Sequence, residues 1–295
     1  MHGIIKLGLE MKEKTKKQKS KITKKQKYIK LAITLGIVIA LIVFCNFQNK
    51  HLETTNYTYE AEQLGADLEG YRIVQISDLH NAKFGKNNKR LIDKVRECDP
   101  DMIVLTGDLV DSNHTNVNRA VQFVNEIVKI CPVYYVTGNH EYWLETSEYD
   151  ELMTGLTGAG VVILDDQAVE ISRGDAKFRL VGLDDKSLAD GTLGTLLNDE
   201  SEFTVVLAHE PQYLARYAST GVDLVLSGHA HGGQFRLPFV GGIVAPDQGF
   251  LPECTAGECY MDSAEMIVSR GLGNSVIPVR LFNYPEIVCV ELKGK

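Results

Sequence analysis

At 295 residues the chain has room for one large core or two modest ones. With 44% hydrophobic and 24% charged residues it has the composition of an ordinary folded protein, which excludes a disordered or low-complexity chain. The formal net charge of −8 hides a split, because residues 1–30 hold eleven lysines against Glu10 and Glu13 and the remainder therefore carries about −17. A basic head on an acidic body is the pattern of an interaction tail or a membrane flank, and nucleic acid is not among the expected partners.

Residues 1–27 read as a basic cytoplasmic tail and 28–48 as a transmembrane anchor. Leu31 to Asn49 carries no charge, close to the ~20 residues a helix needs to span a bilayer. The lysines directly before it keep this end in the cytoplasm by the positive-inside rule, so the body is expected outside, as a single-pass membrane protein. The alternatives are a cleaved signal peptide, against which stand the long basic region and the lack of an Ala-x-Ala-like site, and a buried core helix. Residues 49–70 are polar and read as a stalk and lead-in to a domain over 71–295.

From there β-loop-α units repeat, predicting a layered α/β protein. Strands are predicted at Tyr71–Ser77, Met102–Thr106 and Val133–Thr137, with helices over Asn87–Cys98 and Asn116–Lys129, the latter with Val117, Val121, Val124 and Val128 about one turn apart. The second half predicts strands at Val161–Leu164, Ala168–Ile171, Phe178–Leu183, Thr204–Ala208, Leu224–Ser227, Glu265–Ser269 and Ile287–Leu292. Helices are predicted over Glu148–Thr157, Leu188–Asn198 and Pro211–Ala218. Residues 232–262, rich in Gly and Pro, read as a long surface loop. Cys254 and Cys259, with four residues between them, are able to close a small disulfide outside the cytoplasm, though spacing alone does not fix the pairing. Cys98, Cys131 and Cys289 lie in or beside apolar runs and read as buried thiols.

The chemistry sits where the apolar strands stop. Asp78 and His80, Asp108 after Gly107, Asn139 after Gly138, the lone His209, and His229 and His231 in Gly-His-Ala-His all fall just past a strand. Ligands gather outside the carboxyl ends of strands in α/β sheets. Any one of these pieces alone is as well explained by a turn, a helix cap or a core histidine. Five of the chain's eight histidines falling in such motifs, beside Gly and Asp, are not. The set suits two divalent cations, manganese, iron or zinc, since the ligand mix is borderline rather than soft. Two such cations, with Asp78, Asp108 and a hydroxide between them, leave a slightly positive cluster suited to attack on phosphorus. His140 is the expected catalytic residue, stabilising the phosphoryl group or protonating the leaving oxygen. Glu141 is expected to orient His140 or a ligand, and Asp111 to cap or support.

In order, Asp-x-His, Gly-Asp, Gly-Asn-His-Glu, a lone His and Gly-His-x-His over Ser77–His231 resemble the calcineurin-like metallophosphoesterase family. Ser-Gly-His-Ala-His-Gly-Gly-Gln at 227–234 and Ala-Pro-Asp-Gln-Gly at 245–249 resemble its bacterial membrane-linked branch, which includes phosphodiesterases and relatives of UDP-2,3-diacylglucosamine pyrophosphatase. The resemblance implies a four-layer α/β/β/α sandwich. It implies one metal on Asp78, His80 and His231, a second on Asn139, His209 and His229, Asp108 bridging, and His140 in catalysis. The implied activity is a metal-dependent phosphodiesterase or pyrophosphatase acting on a phosphate ester, with lipid or cell-envelope phosphodiesters favoured near a bilayer. A non-catalytic module of the same fold would be marked by a lost ligand, and none is lost; a phosphoprotein phosphatase would find few substrates outside the cell. Tyr142, Trp143 and Tyr149, with Phe235, Leu237, Phe239, Val240, Phe250 and Leu251, are candidates for an apolar wall beside an acyl chain or base, or for plain loop packing.

Overall fold

The computed structural model describes residues 2–197, 202–275 and 277–294. It divides into two units, 1–47 and 48–295. The first is helix α1, which runs His2–Lys50 and so ends three residues inside the second unit. Its apolar stretch is long enough to cross a membrane and is exposed along its length. The lysine-rich tail is helical too, continuous with the span, in keeping with the good helix propensity of Lys and Gln.

The body holds two six-stranded sheets. The first contains β1 (Glu53–Ala61), β2 (Tyr71–Ile76), β3 (Met102–Thr106), β4 (Val133–Val136) and β5 (Val162–Ile163) together with the last strand. The second contains β6 (Gln167–Arg173), β7 (Ala176–Gly182), β8 (Thr204–Leu207) and β9 (Leu224–Ser227). Two small hairpins follow, β10 (Arg236–Leu237) with β11 (Gly241–Gly242) and β12 (Val244–Ala245) with β13 (Gly249–Phe250). Then β14 (Gly257–Met261) and β15 (Ala264–Val268) rejoin the second sheet and β16 (Glu286–Gly294) returns to the first. The orders are β1-β16-β2-β3-β4-β5 and β14-β15-β9-β8-β7-β6.

Three apolar layers explain the stacking. Along β3, side chains alternate: Met102 and Val104 face the second sheet, while Ile103 and Leu105 face helices α2 (Lys89–Glu97) and α3 (Val117–Ile127). Short α4 (Asn139–Tyr142) and longer α5 (Thr146–Ala159) follow β4, and Leu152 and Leu156 of α5 join this outer layer. On the far side Val181, Val206 and Val225 pack under α6 (Thr192–Leu196) and α7 (Leu214–Ala218). Strands covered on both faces read as continuous apolar runs, which is why the central parallel strands were visible in the sequence. The result is the expected α/β/β/α sandwich.

Three expectations need correction. Residues 53–61 are not a stalk: β1 pairs in parallel with β16 along its whole length, from Glu53 opposite Glu286 to Ala61 opposite Gly294. An edge strand with one face in solvent carries Thr, Asn and Glu and so looks like a linker. Residues 232–262 are not simple loop but two hairpins and β14, an exposed edge strand pairing antiparallel with β15. The helix expected over Leu188–Asn198 is shorter, with Gly191 and Gly194 in it, and its last residue Asn198 lies outside the described residues. Cys254 and Cys259 are disulfide-bonded, their Cα atoms 6.2 Å apart.

Candidate metal centre

The carboxyl ends of β2, β3, β4, β8 and β9 converge, and each delivers its motif there. Asp78, His80, Asp108, His229 and His231 all have positive φ, a region costly for residues with a Cβ and concentrated at functional sites. Glycines make the approach possible. A Cβ on Gly107 would meet His209 Nδ1 at 2.5 Å and the Gly138 Cα at 2.8 Å. One on Gly228 would collide with Ser77 and Asp78.

Two groups of potential ligands share one carboxylate. Asp78, His80, Asp108 and His231 form one, and Asp108, His209 and His229 the other, every residue buried. Asp108 Oδ2 lies 3.4 Å from His80 Nε2 and 3.4 Å from His209 Nε2. His231 Nε2 is 3.5 Å from Asp78 Oδ1 and 3.2 Å from His80 Nε2.

Hydrogen bonding fixes two tautomers. The Thr106 carbonyl can only accept, so His209 Nδ1, 2.7 Å away, carries a hydrogen, and Nε2 is the nitrogen left to meet a metal. Asp247 Oδ2 lies 3.0 Å from His229 Nε2 and accepts there, leaving the His229 Nδ1 lone pair free. His209 Nε2 and His229 Nδ1 face each other at 3.2 Å, so that either a proton or a metal cation between them satisfies both nitrogens. Asn139 Oδ1, next to Gly138 on the same wall, is buried and has no hydrogen-bond partner among the described residues. An amide oxygen so placed fits a neutral ligand.

The electrostatics agree. Burial, opposed by Asp108, lowers the pKa of His80 to about 3. Burial and His209 lower that of His229, and burial and Arg280 hold His231 well down, so these rings are neutral, as ligation needs. Burial also disfavours charge on His209, yet Asp108 beside it holds its pKa well above the ordinary value. The pocket therefore attracts one positive charge to its middle, where a metal would supply more.

His140 stands beside this cluster, its ring 4.5 Å from that of His80. The Ser112 backbone N–H donates to its Nδ1 at 3.1 Å, so the hydrogen is on Nε2, 3.0 Å from Ser275 Oγ. Asp111 caps its own turn, accepting from the Asn113 N–H, and lies 3.7 Å from His140 Nδ1. Glu141 orients the Asp108 loop, accepting from the backbone N–H groups of Asp108, Leu109, Val110 and Gly138 at 2.8 to 3.3 Å. Burial and then Asp108 raise its pKa, while the four donors, which only an ionised carboxylate satisfies together, pull it back toward the charged form. Glu141→Gln puts an NH2 where an acceptor is needed and is expected to destabilise the body by about 3 kcal/mol. An unchanged denaturation midpoint would show that the carboxylate does not hold the loop.

Sequence reasoning missed Asp247, Ser112, Ser275 and Arg280. Only Asp247 had a signal, lying in the Ala-Pro-Asp-Gln-Gly segment. Arg280 is fully buried and donates to the carbonyls of Gly273 and Arg270; its Nη2 is 3.4 Å from His231 Nδ1. Of the aromatic candidates, Trp143 stands 4.8 Å from the His140 ring and is exposed, whereas Tyr142 stacks on Tyr149 and donates to Asp184.

The chain is similar to known proteins. The chain is 33% identical over 257 residues to the uncharacterized metallophosphoesterase YkuE of Bacillus subtilis, covering 82% of this chain and 86% of that one. It is 30% identical over 229 residues to the phosphodiesterase YaeI of Escherichia coli, covering 75% and 82%. It is 27% identical over 281 residues to a transmembrane protein with metallophosphoesterase domain from Danio rerio, covering 89% and 62%. The calcineurin-like phosphoesterase model matches residues 71–233, the span that holds every motif of the metal centre. With its ligand groups joined at Asp108 in the order those motifs follow, this chain belongs to the calcineurin-like phosphoesterase family.

Proposed function

We propose that the chain is a membrane-anchored hydrolase of phosphodiester or pyrophosphate bonds. Asp78, His80 and His231 would hold one divalent cation, Asn139, His209 and His229 the other, and Asp108 both. The observation that carries this reading is the single Asp108 oxygen at 3.4 Å from a histidine of each group. When bound, the cations would supply Lewis acidity toward a phosphoryl oxygen and toward water.

The protein's own part is positioning and proton handling. His140 holds a proton on Nε2, with Ser112 fixing the other face of the ring, so it is ready to donate to a phosphoryl or leaving oxygen. Asp247 holds His229 in the tautomer whose Nδ1 is bare. Trp143 offers an exposed face beside His140 for a base or an apolar leaving group.

The diester or pyrophosphate preference is supported by the likeness to a protein named a phosphodiesterase. Anchoring with the body outside is supported by the lysine-flanked apolar helix, by the likeness to a protein named as transmembrane, and by the Cys254–Cys259 disulfide, which suits an oxidising compartment. A panel of aryl monoester, aryl diester and a UDP-linked lipid, each with manganese, zinc or iron, tests the reading on the full chain. Chelation is expected to remove activity, one of the three metals to restore it, and diester or pyrophosphate turnover to exceed monoester turnover. Monoester turnover in excess would overturn the preference, and activity surviving complete metal removal would overturn the mechanism.

A further inference from the structure

The helix leads into the body with no spacer. Gln48 is buried, Asn49 Nδ2 donates to the Pro278 carbonyl at 2.8 Å, and the Arg280 N–H donates back to Asn49 Oδ1 at 2.8 Å. Leu52 is already in the core and β1 begins at Glu53. The point where the chain would leave a bilayer is thus bonded to the segment 278–280.

Two features adjoin that point. The first is apolar. Gln234 donates to the carbonyls of Ile277 and Val279, and the Arg236 N–H to that of Leu281, which ties the two small hairpins to the same segment. Those hairpins turn large apolar side chains outward: Leu237, Val240 and Leu251 are exposed, Phe250 is 74% exposed, and Phe239 is completely exposed at its hairpin tip. Large apolar side chains turned outward on a body whose sequence is acidic suit an interaction surface. The second feature is basic. Lys50 Nζ donates to the Lys83 carbonyl at 2.9 Å, and Arg90 Nη2 approaches the Lys50 carbonyl at 3.3 Å, with Lys86 and Lys89 exposed nearby in the chain. Burial, and then the charges of Lys83 and Arg90, lower the Lys50 pKa, which reflects how closely these cations gather.

We infer that the exposed apolar tips of the 236–251 hairpins and the Lys50–Lys83–Arg90 collar form a second membrane contact, docking the body onto an anionic phospholipid surface. Apolar side chains enter the headgroup region while adjacent cations meet lipid phosphates, the division of labour of interfacial segments. The Asp247 carboxylate that holds His229 lies in the β12–β13 turn, three residues before Phe250, so docking brings the mouth of the metal centre to the lipid surface. Resting on the proposed hydrolase, this selects a phosphate ester or pyrophosphate carried by a lipid in that surface.

The test is a depth measurement on the full chain reconstituted in vesicles. Phe239→Cys and, separately, Val240→Cys are labelled with an environment-sensitive fluorophore, the parent chain treated alike serving as blank. Asp175→Cys is the control, because its backbone is bonded to Asp67, ahead of β2 and so at the end of the sheets opposite the metal centre. Lipids carrying a nitroxide near the headgroup are expected to quench the labels at 239 and 240 at least threefold more than the label at 175. The difference is expected to grow from phosphatidylcholine to phosphatidylglycerol vesicles. Equal quenching at all three positions would overturn the docking face, and indifference to lipid charge would overturn the role of the collar. Depth is read without turnover, so a docked but inactive protein counts against the hydrolase alone, and an active but undocked one against the docking face alone.

Discussion

Asp108→Asn is expected to abolish turnover and to strip both halves of the metal centre together. One oxygen of Asp108 faces His80 and His209 at the same distance, and its other oxygen accepts the His140 N–H at 2.9 Å. The side chain is buried. Burial disfavours its charge, but His209 and His80 hold the carboxyl far below the usual range and so favour the anion. Asparagine keeps the shape, removes that charge, and leaves one oxygen to do the work of two. Changes in the partners that merely orient metal ligands already cost about 10- to 100-fold in affinity, and a shared ligand should cost more. Elemental analysis of the variant, beside a diesterase assay, checks this. Two full equivalents of metal in Asp108→Asn would mean that the two groups bind independently and that the bridge is incidental.

What could be read in the sequence followed physical lines. The candidate metal centre was legible because each candidate ligand is a polar residue just past an apolar strand, and interruptions of Met102–Thr106 by Gly107-Asp108 or of Leu224–Ser227 by Gly228-His229 stand out. The sandwich layers were legible for the same reason, in strands covered on both faces. Strand β1 was not, because its partner β16 lies at the other end of the chain and its open face carries Thr54, Asn56 and Thr58. Pairing across so long a separation leaves no local trace. The residues behind the ligands were hidden differently. Ser112 acts through its backbone N–H, which any residue supplies, and Ser275 and Arg280 reach the site from the far end of the sequence. Glu141 was visible as a supporting acid, but its work on the Asp108 loop depends on four backbone donors that only folding brings together.

His140→Ala is expected to keep both metals and still lower kcat by roughly 10²–10⁴. The histidine belongs to neither group that shares Asp108; its ring lies instead with His80 and Asp111, whose carboxylate is 3.7 Å from Nδ1. Its Nδ1 is occupied by the Ser112 N–H, so it cannot serve as a base there, and the hydrogen on Nε2 is the group it offers. In the free protein that hydrogen is directed at Ser275 Oγ, 3.0 Å away, which marks where a substrate oxygen would compete for it. Leaving-group dependence separates the possible roles. If Nε2 protonates the departing oxygen, the loss is large for an alkyl or lipid leaving group and small for nitrophenolate, which departs without help. If it only stabilises phosphoryl charge, the loss is the same for both. A variant that retains metal and loses no rate on either ester would take His140 out of the chemistry and leave the cations and Asn139 to account for catalysis.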